Sequence, residues 1–218
     1  MKIKWLGHAC FLVTADNGKK IITDPYEPGA FGGAINHDPI TEIVDVVTVS
    51  HGHADHDSVA PLPGKPVALR SPGSFVAEGM EFQGTATSHD KSHGAERGEN
   101  VVYTFIVDGI KVCHLGDLGH TLTGDQAAEI GAVDVLLVPV GGRFTIDANA
   151  AWTVAGQLAA RVVIPMHFKT PKVNLPIATA DEFLSGTPNV KRLNTSEVEF
   201  SKDRLPSERE IIVLQPAL

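Results

Sequence analysis

The sequence predicts an α/β fold of two mixed β-sheets with helices on their outer faces. Short apolar runs bounded by turn residues crowd the first half of the chain, the pattern of strands paired through tight turns. Helical stretches come later and alternate with strands, an order that suits layered sheets with helices outside. The hydrophobic share is 43% of 218 residues, enough for a sizeable core. No Pro/Ser linker or composition break divides the chain, so residues 1–218 are expected to form a single domain.

The elements follow in order. Residues 2–6, 10–14 and 20–23 read as strands joined by tight turns, the second turn being Asp16-Asn17-Gly18. A loop rich in Gly and Pro spans residues 24–40. The apolar run of residues 46–50 reads as a buried strand. Residues 57–60 are expected to open a short helix, and 66–70 another strand. Residues 81–88, 101–107 and 110–114 continue the β content, with Asp108-Gly109 as a hairpin turn. Residues 134–138 form a buried strand. The Ala-rich stretch 147–160 is a helix, with Asp147 as its N-cap. Strand 161–165, helix 179–184 and strand 209–214 complete the chain.

The net charge is −8 with no Lys/Arg run. That argues against nucleic-acid phosphate or an anionic membrane surface as the main partner. No stretch approaches eighteen apolar residues, so no membrane span is expected. The start Met1-Lys2-Ile3-Lys4-Trp5 shows no leader pattern, and a cytoplasmic protein is expected. Cys10 and Cys113 lie in apolar strand-like runs and are expected to be buried free thiols. A small-molecule substrate is the expected partner, and nothing in the chain specifies an oligomer.

The chemistry concentrates where the strand at 46–50 ends. His51, His53, Asp55 and His56 follow it as His-x-His-x-Asp-His. Imidazole and carboxylate are the ligand types of zinc and similar divalent metals. Residues at i and i+2 of an extended segment share a side, so His51 and His53 are expected to chelate one ion. Asp55 and His56 lie past the turn and are expected to face a second. Buried imidazoles and a buried carboxylate without a metal would each need another partner.

The string resembles the signature of the metallo-β-lactamase fold superfamily, which implies a four-layer αβ/βα sandwich with metals at one edge between the sheets. The resemblance implies three further ligands from separate strand ends. His89 is the first, with His93 as its rival; Asp117 of the Gly116-Asp117 pair is the second, a bridge between the ions; His167 is the third. His51, His53 and His89 would then hold one ion, Asp55, His56 and His167 the other. The ions are expected to be Zn2+, with Mn2+, Fe2+ or Ni2+ as other occupants. Di-iron oxygen-reducing relatives carry Glu where His53 stands, and a His suits zinc-type hydrolytic sites better.

Three further segments, Trp5 to Phe11, Ile22 to Pro25, and Pro139 to Gly142 with Thr145 to Asp147, resemble small stand-alone metal-dependent hydrolases of that superfamily. The implied reaction is hydrolysis of an ester, lactone or phosphodiester by a hydroxide between the ions. Asp55 or a metal-bound water is expected to manage the proton, with His120 as a further donor, since Leu118 and His120 stand near the place of the family's usual Tyr or Thr after Gly-Asp. His8 and Asp24 read either as supports of the ligands or as a strand-end His and a turn Asp before Pro, and Gly141-Gly142 either as backbone donors toward an anion or as a plain tight turn. No basic residue outside the metals marks a phosphate pocket, which favours an ester or lactone. An iron-dependent oxidoreductase on the same ligands and a non-catalytic metal-binding module are the alternatives.

Overall fold

The computed structural model describes residues 1–218. One sheet runs from edge to edge as β13 (Glu197–Glu199), β1 (Lys2–Gly7), β2 (Cys10–Thr14), β3 (Lys20–Thr23), β4 (Val46–Thr48) and β5 (Val67–Leu69). The other runs as β12 (Val190–Arg192), β14 (Glu210–Val213), β11 (Val162–Met166), β10 (Val135–Pro139), β9 (Ile110–His114), β8 (Glu99–Val107), β7 (Met80–Ser88) and β6 (Gly73–Ala77). Both sheets mix parallel and antiparallel pairs, as the sequence predicted.

Successive side chains of a strand point to opposite faces, and the first sheet is apolar on both. Ile3, Trp5, Phe11, Val13, Ile21 and Val46 enter the large core shared with the second sheet. Their neighbours Leu6, Cys10, Leu12, Ile22 and Val47 enter a separate cluster on the other face. That second face is covered by irregular chain, with Tyr26, Ile35, Ile40, Val173 and Ile177 supplying the apolar contacts. The two longer helices lie on the second sheet. α2 (Gly124–Ile130) lies on β7, and α3 (Ala148–Gln157) lies on β10 with Ala148, Ala151, Val154 and Ala155 buried. The remaining helical pieces, α1 (Ala30–Gly33) and α4 (Asp181–Leu184), are single turns. None of these helices is long and apolar enough to cross a membrane.

Asp147 caps α3 as expected, its side chain accepting from the Ala150 N–H at 2.9 Å. No helix forms over residues 57–60. Asp57 instead pairs with Arg70, Ser58 N–H donates to Pro25 O at 2.8 Å, and Pro61 biases Ala60 away from helix. Short β6, β12 and β13 lack a long apolar run and were not anticipated. α2 was also missed, although Thr123 and Gln126 form a reciprocal capping box.

Strand direction collects the functional residues. β3, β4 and β5 are parallel, so Asp24 and His51 emerge at the same edge. β8 is antiparallel to both β7 and β9, and β9, β10 and β11 are parallel. The C-terminal ends of β7, β9 and β11 therefore share an edge, and His89, Asp117 and His167 follow them. Leu137, fully buried at the centre of β10, tests how far this frame depends on its core. Leu137→Ala is expected to cost about 2–5 kcal/mol, read as a lower urea midpoint with an unchanged slope.

Candidate metal centre

The chain turns sharply after β4 instead of staying extended, and His51 and His53 meet by using different ring edges. His51 Nε2 and His53 Nδ1 lie 2.9 Å apart. His51, His53 and His89 offer ligand atoms within 4.8 Å of one another, and so do His8, Asp55, His56 and His167. Asp117 sits between the two groups. Its Oδ1 is 3.2 Å from His56 Nε2, and its Oδ2 is 3.3 Å from both His89 Nε2 and His167 Nε2 and 4.0 Å from His51 Nε2. Asn100 holds the Asp117 backbone, accepting from its N–H at 2.9 Å while donating to Thr87 and Leu115.

Asp24 orients two of the imidazoles. A carboxylate only accepts, so His56 Nδ1–H donates to Asp24 Oδ2 at 2.8 Å. The Ser50 hydroxyl donates to the same oxygen at 2.5 Å and accepts from His51 Nδ1–H at 3.0 Å. Both rings then present the lone pair of Nε2 to the centre. His8 donates from Nε2 to Asp55 Oδ2 at 2.9 Å. His8 and Asp24 thus support ligand-type residues by direct hydrogen bonds.

Burial raises the carboxyls of Asp24, Asp55 and Asp117, but the surrounding imidazoles outweigh it and hold all three below the usual carboxylate range. Burial lowers His56, yet Asp117 and Asp55 raise it well above its ordinary value. Burial, then the charge of His56, pushes His51 down to about 3. Burial also lowers His89, and burial with His167 lowers His8 to about 4. The three buried carboxylates have only imidazoles as ionic partners, with no Lys or Arg among them. His56 Nε2 and Asp117 Oδ1, though 3.2 Å apart, make no hydrogen bond. Two buried polar atoms that converge without bonding, among imidazoles and buried carboxylates, suit divalent cations.

The cluster floors a pocket of about 380 Å3 lined by His53, Asp55, His89, Asp117 and His167. Its walls are Phe31, Phe144, Leu175 and Arg97. The wall residues were missed, being scattered over four separate connections with no common motif. Arg97 corrects the expectation that no basic residue marks the pocket. His93 is exposed in the loop beyond, whereas His89 is buried against Asp117. His120 is not brought to the pocket. Its Nε2 accepts from Ser88 N–H at 3.2 Å and its Nδ1 donates to Thr121 O at 2.7 Å, so the ring has no free proton to give. Gly141 N–H is bound to His167 O at 3.1 Å, which leaves it no donor for an anion.

Asp24→Asn keeps the shape of the side chain but has one acceptor oxygen, whereas Asp24 Oδ1 accepts from Ser50 N–H at 2.8 Å while Oδ2 accepts from the Ser50 hydroxyl and His56. It is expected to weaken metal affinity by about one to two orders of magnitude, measured by competition with a chromophoric zinc chelator.

Comparison with known proteins agrees with this arrangement. Residues 2–167 match the model of the β-lactamase superfamily domain. A UPF0173 metal-dependent hydrolase of Methanoregula boonei is 33% identical over 193 residues, covering 78% of this chain and 83% of the relative. A UPF0173 metal-dependent hydrolase of Carboxydothermus hydrogenoformans is 33% identical over 213 residues, covering 83% of this chain and 88% of the relative. Among solved structures, a Thermotoga maritima candidate Zn-dependent hydrolase of the metallo-β-lactamase superfamily is 39% identical, with a TM-score of 0.80 over 98% of this chain and 97% of that one. By this match and this fold, the chain belongs to the metallo-β-lactamase superfamily and, within it, to the UPF0173 metal-dependent hydrolases.

Proposed function

We propose that this hydrolase uses a dinuclear centre, zinc for preference, to cleave an ester, lactone or phosphodiester bond in a small molecule. The position of Asp117 carries the reading, because one carboxylate reaches imidazoles of both candidate trios. His51, His53 and His89 would hold one ion, Asp55, His56 and His167 the other, with Asp117 touching both. Two divalent ions so held supply Lewis acidity and a hydroxide at neutral pH. Imidazole-rich ligation suits zinc, while geometry alone leaves manganese, iron and nickel as occupants.

The residues of the chain do the rest. Asp24, through Ser50 and His56, keeps two imidazoles in the ligating tautomer. His8 binds one oxygen of Asp55, and Asp55 lines the pocket, where its carboxylate is placed to manage the proton of the attacking water. Phe31, Phe144 and Leu175 shield the site from bulk water, which strengthens electrostatic interactions within it. A pocket of about 380 Å3 has the size of a small-molecule site. Ligands drawn from the ends of both sheets support residues 1–218 acting as one domain.

Protein purified without chelator is expected to hold more than one equivalent of metal by elemental analysis. Well under one equivalent after ample supply would remove the dinuclear reading. Asp117→Asn keeps the shape but removes the shared charge. Hydrolysis is expected to fall by at least about two orders of magnitude, with the circular dichroism of the wild type retained.

The third ligand of the first ion is tested separately. His89→Ala is expected to lower zinc stoichiometry in a titration, because the ring is buried 3.3 Å from Asp117. His93→Ala is expected to leave stoichiometry unchanged, because that ring is exposed. The reverse pattern would move the ligand role to His93.

A further inference from the structure

Arg97 stands in the pocket wall of a protein whose net charge is −8. Its guanidinium makes no hydrogen bond to protein. The nearest carboxylate is that of its own neighbour Glu96, at 3.6 Å and itself 59% exposed. A partly buried arginine ordinarily places its fork of donors on an acceptor. Here the donors are left over.

The side chain is also held in position. Asp90, directly after His89, accepts four backbone N–H groups: Ser92 at 2.7 Å, Gly94 at 2.9 Å, Glu96 at 3.0 Å and Arg97 at 2.8 Å. One carboxylate thereby folds the whole 90–97 loop back on itself and ties the Arg97 backbone to the base of His89. The guanidinium lies 5.9 Å from the centre of the Phe144 ring, close enough for a cation–π contact. A cation–π contact uses none of the N–H donors of the guanidinium and leaves them for a ligand. A second guanidinium, that of Arg143, lies 5.7 Å from the same ring but does not line the pocket.

We infer that Arg97 is a specificity-determining residue that recognises an oxyanion, a carboxylate or phosphoryl group, carried by the substrate. The rest of the substrate is apolar and small, to fit between Phe31, Phe144 and Leu175. The planar fork matches carboxylate and phosphate alike. The inference rests on reading this pocket as the substrate site, but its test requires no turnover.

The probes are phenylacetate, benzylphosphonate and the neutral phenylacetamide, titrated calorimetrically into the zinc-loaded protein. The quantity read is the affinity of each anion relative to the amide. Arg97→Ala is expected to lower that ratio about tenfold, the scale of one charge-assisted hydrogen bond. Arg97→Lys should recover part of the loss. Arg143→Ala is expected to leave the ratio within about twofold, since its charge sits on Phe144 outside the pocket. Comparing the two anions assigns the headgroup. An unchanged ratio in Arg97→Ala, an equal fall in both alanine variants, or no preference of the wild type for either anion would overturn the inference. Failure of the metal-loaded protein to cleave any ester or phosphodiester would remove the hydrolytic reading while leaving this ratio to decide the role of Arg97.

Discussion

Asp117 places a buried carboxylate among four imidazoles, and both sheets must end correctly for that to happen. An unpaired buried charge costs several kcal/mol, so the position is tolerable only if every partner arrives together. The partners come from separate strands. His51 and His56 follow β4, His89 follows β7, Asp117 itself follows β9, and His167 follows β11. The strand polarities put all four ends at one edge. A change of direction in any one of them would carry a ligand-type residue to the far side of the core.

Close approach of backbones tightens the same edge. A Cβ on Gly116 would meet Asn100 Oδ1 and Ser50 Cβ at 2.4 Å, and Gly116 sits at φ +57°. A Cβ on Gly119 would meet the backbone of His89 and Asp90 at 2.3 Å. The two glycines flanking Asp117-Leu118 therefore let the β9 end press against both neighbouring ligand loops. His8, Asp24 and His167 adopt left-handed backbone conformations at φ 51°, 39° and 49°. Such conformations cost on the order of 1–3 kcal/mol each. They are offset by the core beneath and by hydrogen bonds such as His167 N–H to His8 O at 3.1 Å.

Legibility from the sequence followed the physics. The His51-to-His56 string could be read because its chemistry is local: four ligand-type residues leave one strand end. His89, Asp117 and His167 were legible through the family pattern and through their places after apolar runs. Asn100 was not, since its value lies in three long-range hydrogen bonds that no local pattern announces. Arg97 looked like one residue of a polar loop until Asp90 was seen to fold that loop over the pocket. The helix expected at 57–60 failed because Asp57 found a tertiary partner in Arg70 and Pro61 followed the segment. On the first sheet the outer layer is irregular chain, which hydrophobic periodicity cannot forecast.

That irregular layer links stability to specificity. Ile35 and Val173 bridge the two loops that cover the first sheet, with Asn36 N–H donating to Lys172 O at 2.8 Å and Asn174 N–H to Ala34 O at 2.7 Å. The same loops present Phe31 and Leu175 to the pocket, and both Leu175 and Phe144 rest on the apolar cluster underneath. Phe31 itself is 55% exposed, at φ 53°, between Gly29 and the Gly32-Gly33 pair. Substituting it would alter the pocket mouth with little loss of buried area. Substituting Ile35 or Ile177 would instead strip the outer face of the sheet that carries His51. The walls can therefore vary with the substrate while the floor, set by strand ends and buried charge, stays fixed.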